Sequence, residues 1–266
     1  MNDKRAKIIV VSSGKGGVGK TFVALHLAAA LSKLGQRVAL LDGDLGLANL
    51  HVLLGINPQQ DLSSVIAGTH SMQDIIVEGP CGIRVIPGAS GVKDMADLDE
   101  TDMAKLLREV DGLSEQTDYL IVDTGAGIGP QVTTLARLAD LILVVVRDEP
   151  ASLADAYGLI KVLVKDFQRQ NIQVIVNDAH KAQRATEVFA RLAAAATKFL
   201  GLPLRCAGVI PHDLSVQAAA RRKQVVLEYA EHSPASVALM SLAAALTNRT
   251  PSAVHSSPFA IDRSGP

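Results

Sequence analysis

Residues Lys7 to Lys33 constrain the fold of this chain more than any other stretch. An apolar run, Ile8-Ile9-Val10-Val11, leads into Gly14-Lys15-Gly16-Gly17-Val18-Gly19-Lys20-Thr21, and Val23, Leu27, Leu31 and Leu34 follow at helical spacing. The order is strand, glycine-rich loop, helix, which is the context in which such a loop closes around phosphate. Glycines let backbone N–H groups approach anionic oxygens with no Cβ in the way, and the start of the helix adds a partial positive charge. In that arrangement the backbone from Gly14 to Thr21 wraps phosphate, Lys20 reaches its outer oxygens, and the Thr21 hydroxyl is a Mg²⁺ ligand.

The remainder alternates in the same way. Apolar runs at 37–42, 83–86, 118–123, 141–146, 172–177 and 204–210 read as strands. Helical spacing covers 99–115, 131–138, 152–170, 181–200, 215–222 and 234–246, with short helices near 62–66 and 72–76. The expected architecture is α/β: a mostly parallel, doubly wound sheet with helices on both faces. Ligands of such sheets sit at the carboxyl ends of the strands. Asp42 and Asp44, Asp123, Asn177 and Pro211 all fall at such ends. Asp123 closes a hydrophobic strand, as an acid holding Mg²⁺ directly or through water would. Thr124 to Gly129 is expected to be a flexible switch loop, and 88–98 a surface loop.

The chain has 266 residues, 48% of them apolar, which suits a single domain over 1–247. The Ser- and Pro-rich end, 248–266, reads as a disordered tail. A formal net charge of −1 argues against a nucleic-acid partner. Cys81 and Cys206 are far apart and form no C-x-x-C, so a disulfide framework, zinc or an iron–sulfur cluster is not expected; both read as core positions. A polar start and the lack of any long apolar run predict a cytoplasmic protein.

Lys15 inside the glycine loop, with Lys20 and Thr21, resembles the deviant Walker A motif of the MinD/ParA class of P-loop ATPases. The resemblance covers roughly 5–247 and implies ATP hydrolysis with Mg²⁺ in a nucleotide-sandwich homodimer. Lys15 would then reach the partner's phosphates, Asp44 would position the attacking water, and Asp42 would support the Mg²⁺ shell. Asn177 would hydrogen-bond adenine, and the segment after Pro211 would pack against the base; Asn177-Asp178 departs from a guanine-type Asn-Lys-x-Asp.

The stretch Asp44 to Gly55, Asp123 to Ile128, and Val226-Leu227-Glu228-Tyr229 with Ser233-Pro234-Ala235-Ser236 are similar to the flagellar-number regulators of the FlhG/FleN group. That group's implied partners are an FlhF-type signal-recognition-like GTPase, flagellar switch proteins or a flagellar transcriptional activator, with peripheral contact at the inner face of the membrane. ParA-type partitioning of DNA or cargo and MinD-type division-site regulation are the alternative readings. Two features depart from the group: only Met1 to Ala6 precede the first strand, where members often carry an extension that activates the GTPase, and 236–248 lacks the basic face of the membrane helix in which many members end. A closing helix packed on the domain is the competing reading of 236–248. The basic cluster Arg221-Arg222-Lys223 reads by default as a solvated helix end, with contact to anionic lipid, DNA or a partner as the alternative.

Overall fold

A computed structural model describes residues 5–44, 48–89, 100–113 and 116–247. The tail 248–266, most of the 88–98 loop and Leu45 to Leu47 lie outside the described residues. Eight strands form one sheet: β1 (Lys7–Ser13), β2 (Val38–Gly43), β3 (Val77–Glu78), β4 (Arg84–Ile86), β5 (Tyr119–Ala126), β6 (Leu141–Val146), β7 (Ile172–Ala179) and β8 (Arg205–Pro211). Their spatial order is β3-β4-β2-β5-β1-β6-β7-β8, and every pairing is parallel except β3 with β4. The sequence reading missed β3, a two-residue edge strand with too few residues to show a period.

The central strands are apolar along most of their length because both faces are covered. Ile8 and Val10 of β1 and Ile142, Val144 and Val146 of β6 point to one side. There they meet α3 (Leu62–Ile66), α4 (Met72–Ile75), α5 (Glu100–Gly112), α6 (Pro130–Arg137), α7 (Pro150–Lys165) and α8 (Ala182–Leu200). Ile9 and Val11 of β1 and Leu141, Leu143 and Val145 of β6 point to the other. That side is closed by α1 (Lys20–Lys33), α9 (Leu214–Arg221), α10 (Val226–Tyr229) and α11 (Pro234–Leu246), with Leu50 of α2 (Leu50–Leu54). Alternate residues of a strand face opposite ways, so one uninterrupted apolar run supplies two half-cores.

Three boundaries differ from the sequence reading. β5 runs on to Ala126, leaving little of the expected flexible loop. Thr124 is buried, its hydroxyl bonds Val11 O and Ser12 Oγ, and Ala126 pairs with Ser13, so the segment stays in the sheet. β7 continues past Asn177 to Ala179 by pairing with Pro211 of β8. α7 stops at Lys165 rather than near Gln170, because Gln168 takes a left-handed φ of 53° that turns the chain toward β7.

The cysteines sit at the margin of the core: each is only partly buried, Cys206 packed against one half-core and Cys81 against the other. Cys81 is partly exposed in a 3₁₀ turn (Pro80–Gly82), where its φ is 55° and its N–H and thiol both donate to Glu228 Oε1. Burial, with Glu228 beside it, pushes that thiol up to about 12, so it is a poor nucleophile. Cys206 is also partly exposed, in β8.

Candidate functional site

The site begins with register. β2 lies beside β5 with Asp42 opposite Asp123, and β1 lies on the other side of β5 with Val11 opposite Asp123. Three carboxyl ends therefore converge, and the glycine loop leaving β1 bends over them.

Lys20, the first residue of α1, turns back toward the sheet. Its Nζ donates to Asp123 Oδ1 at 2.8 Å, with Lys20 8% and Asp123 1% exposed. A buried ammonium needs such a partner. Burial raises the Asp123 pKa, opposed first by the Lys20 charge and hydrogen bond and then by the Thr21 hydroxyl bonded to the same carboxyl. Asp42 is buried as well. Its Oδ2 accepts from the N–H groups of Asn49 and Leu50, each at 3.0 Å, and its Oδ1 from that of Asp44 at 3.3 Å. Burial nonetheless lifts Asp42 to about 6, with the amides opposing and Asp123 adding to the rise. Asp44 is half-buried beside Gly125.

The loop itself is shaped to receive an anion. The N-cap of α1 is Gly19, with no side-chain cap and no acid in the first turn, so the leading N–H groups are left for an external acceptor. Gly19 has a φ of 90°, and a Cβ there would sit 2.2 Å from Asn177 Nδ2. Gly14 is glycine for a different reason: a Cβ would lie 2.1 Å from the backbone carbonyl carbon of Asp155, so the loop entrance is pressed against α7. Hydroxyl and carboxylate oxygens from Thr21, Asp42 and Asp123 are the hard donors that suit Mg²⁺.

Beyond Gly19 the loop borders a cavity of about 340 Å³. Asn177 stands in its wall, buried, with Nδ2 donating to Val18 O at 2.9 Å. Its carbonyl oxygen and second amide hydrogen are the groups a base could use. Pro211 lines the same cavity, with Phe22 against the ring of His26 at 4.2 Å.

Sequence reasoning missed Arg147, Asp178 and His212, which also line it. Arg147 hydrogen-bonds Asp178, and Asp178 Oδ1 lies 2.7 Å from His212 Nδ1. All three stand at or next to strand ends, the signal that flagged Asp42 and Asp123, but they belong to no phosphate motif.

Lys15 lies apart from this buried group. Its side chain is partly exposed, and Nζ donates to Glu149 Oε2 at 3.1 Å. The structure thus gathers Lys20, Thr21, Asp42, Asp44 and Asp123 on one side of the loop and Asn177 and Pro211 on the other.

A parallel sheet whose first strand feeds an uncapped helix through a glycine loop, with a buried Lys–Asp pair beneath, defines a P-loop nucleotide-binding protein. The sequence matches the CobQ/CobB/MinD/ParA nucleotide binding domain over residues 9–226, and the chain belongs to that family. It is 44% identical over 237 residues to the antiactivator FleN of Pseudomonas aeruginosa, covering 89% of this chain and 85% of that one. The flagellum site-determining protein YlxH of Helicobacter pylori is 28% identical, over 93% of this chain and 84% of its own. The septum site-determining protein MinD of Pyrococcus horikoshii, solved in complex with Mg-ADP, superimposes with a TM-score of 0.75 at 25% identity, covering 91% and 96% of the two chains. The chain is a MinD-like ATPase. Among the described residues no helix is long and apolar enough to cross a membrane.

Proposed function

We propose that this chain is an ATP-driven dimerising switch that regulates flagellar number or placement. Similarity to FleN and to a flagellum site-determining protein supports the flagellar role. The observation that carries the nucleotide chemistry is the Lys20–Asp123 pair, buried at the uncapped start of α1. Backbone N–H groups from Gly14 to Thr21 hold the phosphates, and Lys20 exchanges Asp123 for the outer phosphate oxygens. Thr21, Asp42 and Asp123 would hold Mg²⁺, which would supply neutralising charge for the phosphate oxygens. Asp44 orients the attacking water. Lys15 acts on the phosphates of a second copy, in the role of an arginine finger. Asn177 and Pro211 receive adenine.

The dimer presents its surface to flagellar partners: a signal-recognition-like GTPase, switch proteins or a transcriptional activator. Peripheral contact with the cytoplasmic membrane face belongs to the same reading. Near-neutral charge disfavours the DNA-partitioning alternative, which requires a basic surface.

The test is a pair of variants followed by ATP binding, phosphate release and sedimentation. Lys20→Ala is expected to lose nucleotide binding. Asp44→Ala is expected to bind ATP, stop releasing phosphate and accumulate as a dimer. Normal turnover by a monomeric Asp44→Ala protein would refute the mechanism. For the flagellar role, flagella are counted in a flagellated bacterium whose own family member is replaced by this chain or by Lys20→Ala. The wild-type chain should restore the normal number and Lys20→Ala should not.

A further inference from the structure

Within a single chain, Lys15 is held by Glu149. Glu149 precedes α7, whose first residue is Pro150, yet its side chain makes no capping bond to that helix. It lies instead between two cations. Lys15 Nζ is 3.1 Å from Oε2, and Arg147 Nη1 is 3.7 Å from Oε1. Arg147 is anchored in turn by Asp178 in the cavity wall. The residue between them, Asp148, is gripped by Arg184 of α8 through Nε and Nη2, each at 3.0 Å. The segment 147–149 is thus fixed from both flanks, and Glu149 faces the glycine loop. Close packing of Gly14 on Asp155 fixes the loop against the same helix.

We propose that Glu149 is a positioning residue that retains Lys15 on its own chain until a second chain assembles, with Arg147 orienting Glu149 from the wall of the base-side cavity. The proposal rests on the reading of Lys15 as a lysine that serves the partner's phosphates. Its physical logic is that of a weak latch. The Lys15 and Glu149 side chains are 41% and 43% exposed, so solvent screens the pair and it separates readily. Phosphate oxygens on a second chain carry more charge than one carboxylate and win the exchange on docking. A fully buried pair would instead have locked Lys15 away. The latch spares the free protomer an unpaired cation beside its own phosphate loop, and it raises the threshold for assembly.

The experiment uses the full chain. Without nucleotide, amines are labelled with limiting acetic anhydride, and Lys15 is read by mass spectrometry against exposed Lys161. Glu149→Gln should raise Lys15 labelling at least threefold, and Glu149→Asp, one methylene shorter, should fall between. In a hydrolysis-blocked Asp44→Ala background, Glu149→Gln should lower the ATP concentration for half-maximal dimerisation three- to tenfold. That gain should vanish when Lys15→Ala is added, because Glu149 acts through Lys15. Unchanged labelling overturns the proposal. So does weaker dimerisation of Glu149→Gln, which would mean that Glu149 serves the assembled dimer directly. If Lys15→Ala by itself leaves dimerisation unaltered, the trans-lysine reading fails, and the labelling result still judges the latch.

Discussion

His26 shows how much a single side chain contributes outside the nucleotide site. It is buried in α1, with Nδ1 2.8 Å from Phe22 O and Nε2 accepting from Val226 N–H at 3.0 Å. These bonds require a neutral imidazole protonated at Nδ1. Burial lowers its pKa to about 4 against an ordinary 6.5, with the Phe22 bond opposing. Between those values the unfolded chain binds a proton that the fold refuses. The stability from neutral His26 is therefore complete above pH 6.5 and is lost as pH falls toward 4, amounting to roughly 3 kcal/mol. Buried Asp42, raised to about 6, works in the opposite direction and hides part of the effect. The clean measurement is the urea midpoint of wild type against His26→Gln. Wild type should be the more stable at pH 7, and the gap should close by pH 4.5; a constant gap would contradict the account.

At the scale of elements, the packing of α11, the last described helix, supports the reading of a closing helix on the domain. Leu239, Leu242 and Ala243 are buried against α1 and β8, and no described position after Pro234 in α11 is fully exposed. Five of its apolar residues, Ala235, Leu239, Leu242, Ala243 and Ala244, are already buried inside the fold. Leu239→Ala should cost roughly 3 kcal/mol through lost burial and a cavity, lowering Tm by about 6–12 °C in a domain of this size. Differential scanning calorimetry checks this, and an unchanged Tm would mean that α11 is not part of the core. β5 teaches a related lesson. Its glycines read as a switch loop, whereas its continuation to Ala126 comes from pairing with β1 and β2, which no local signal carries.

For the whole molecule, one sheet shared by two half-cores argues for a single cooperative unit over the described residues. Each central strand contributes to both faces, so the two sides are expected to melt together. Fluorescent reporters placed on α8 and on α11 should unfold at coincident denaturant concentrations. Ligand linkage should then move the entire transition: at 100 times its Kd, ATP with Mg²⁺ should add about 2.7 kcal/mol and raise Tm by about 5–10 °C. Lys20→Ala should lose that shift. Two separate transitions, or a shift confined to one reporter, would argue for independent halves.

Sequence alone determined the phosphate loop, the strand–helix alternation and the acids at strand ends, because each is written within a few residues. The positions of Lys15, Lys20 and Thr21 in or after the glycine loop, and of Asp42, Asp44 and Asp123 at strand ends, were legible this way. Tertiary structure decided what depends on register and distant contact. It set Asp42 beside Asp123, gave Asn177 to the loop at Val18, and assembled Arg147, Asp178 and His212 into one cavity wall. It also joined Lys15 to Glu149 across 134 positions of chain. Hydrogen-bond geometry and burial act on neighbours in space, so pairings between distant segments had no local pattern from which to be read.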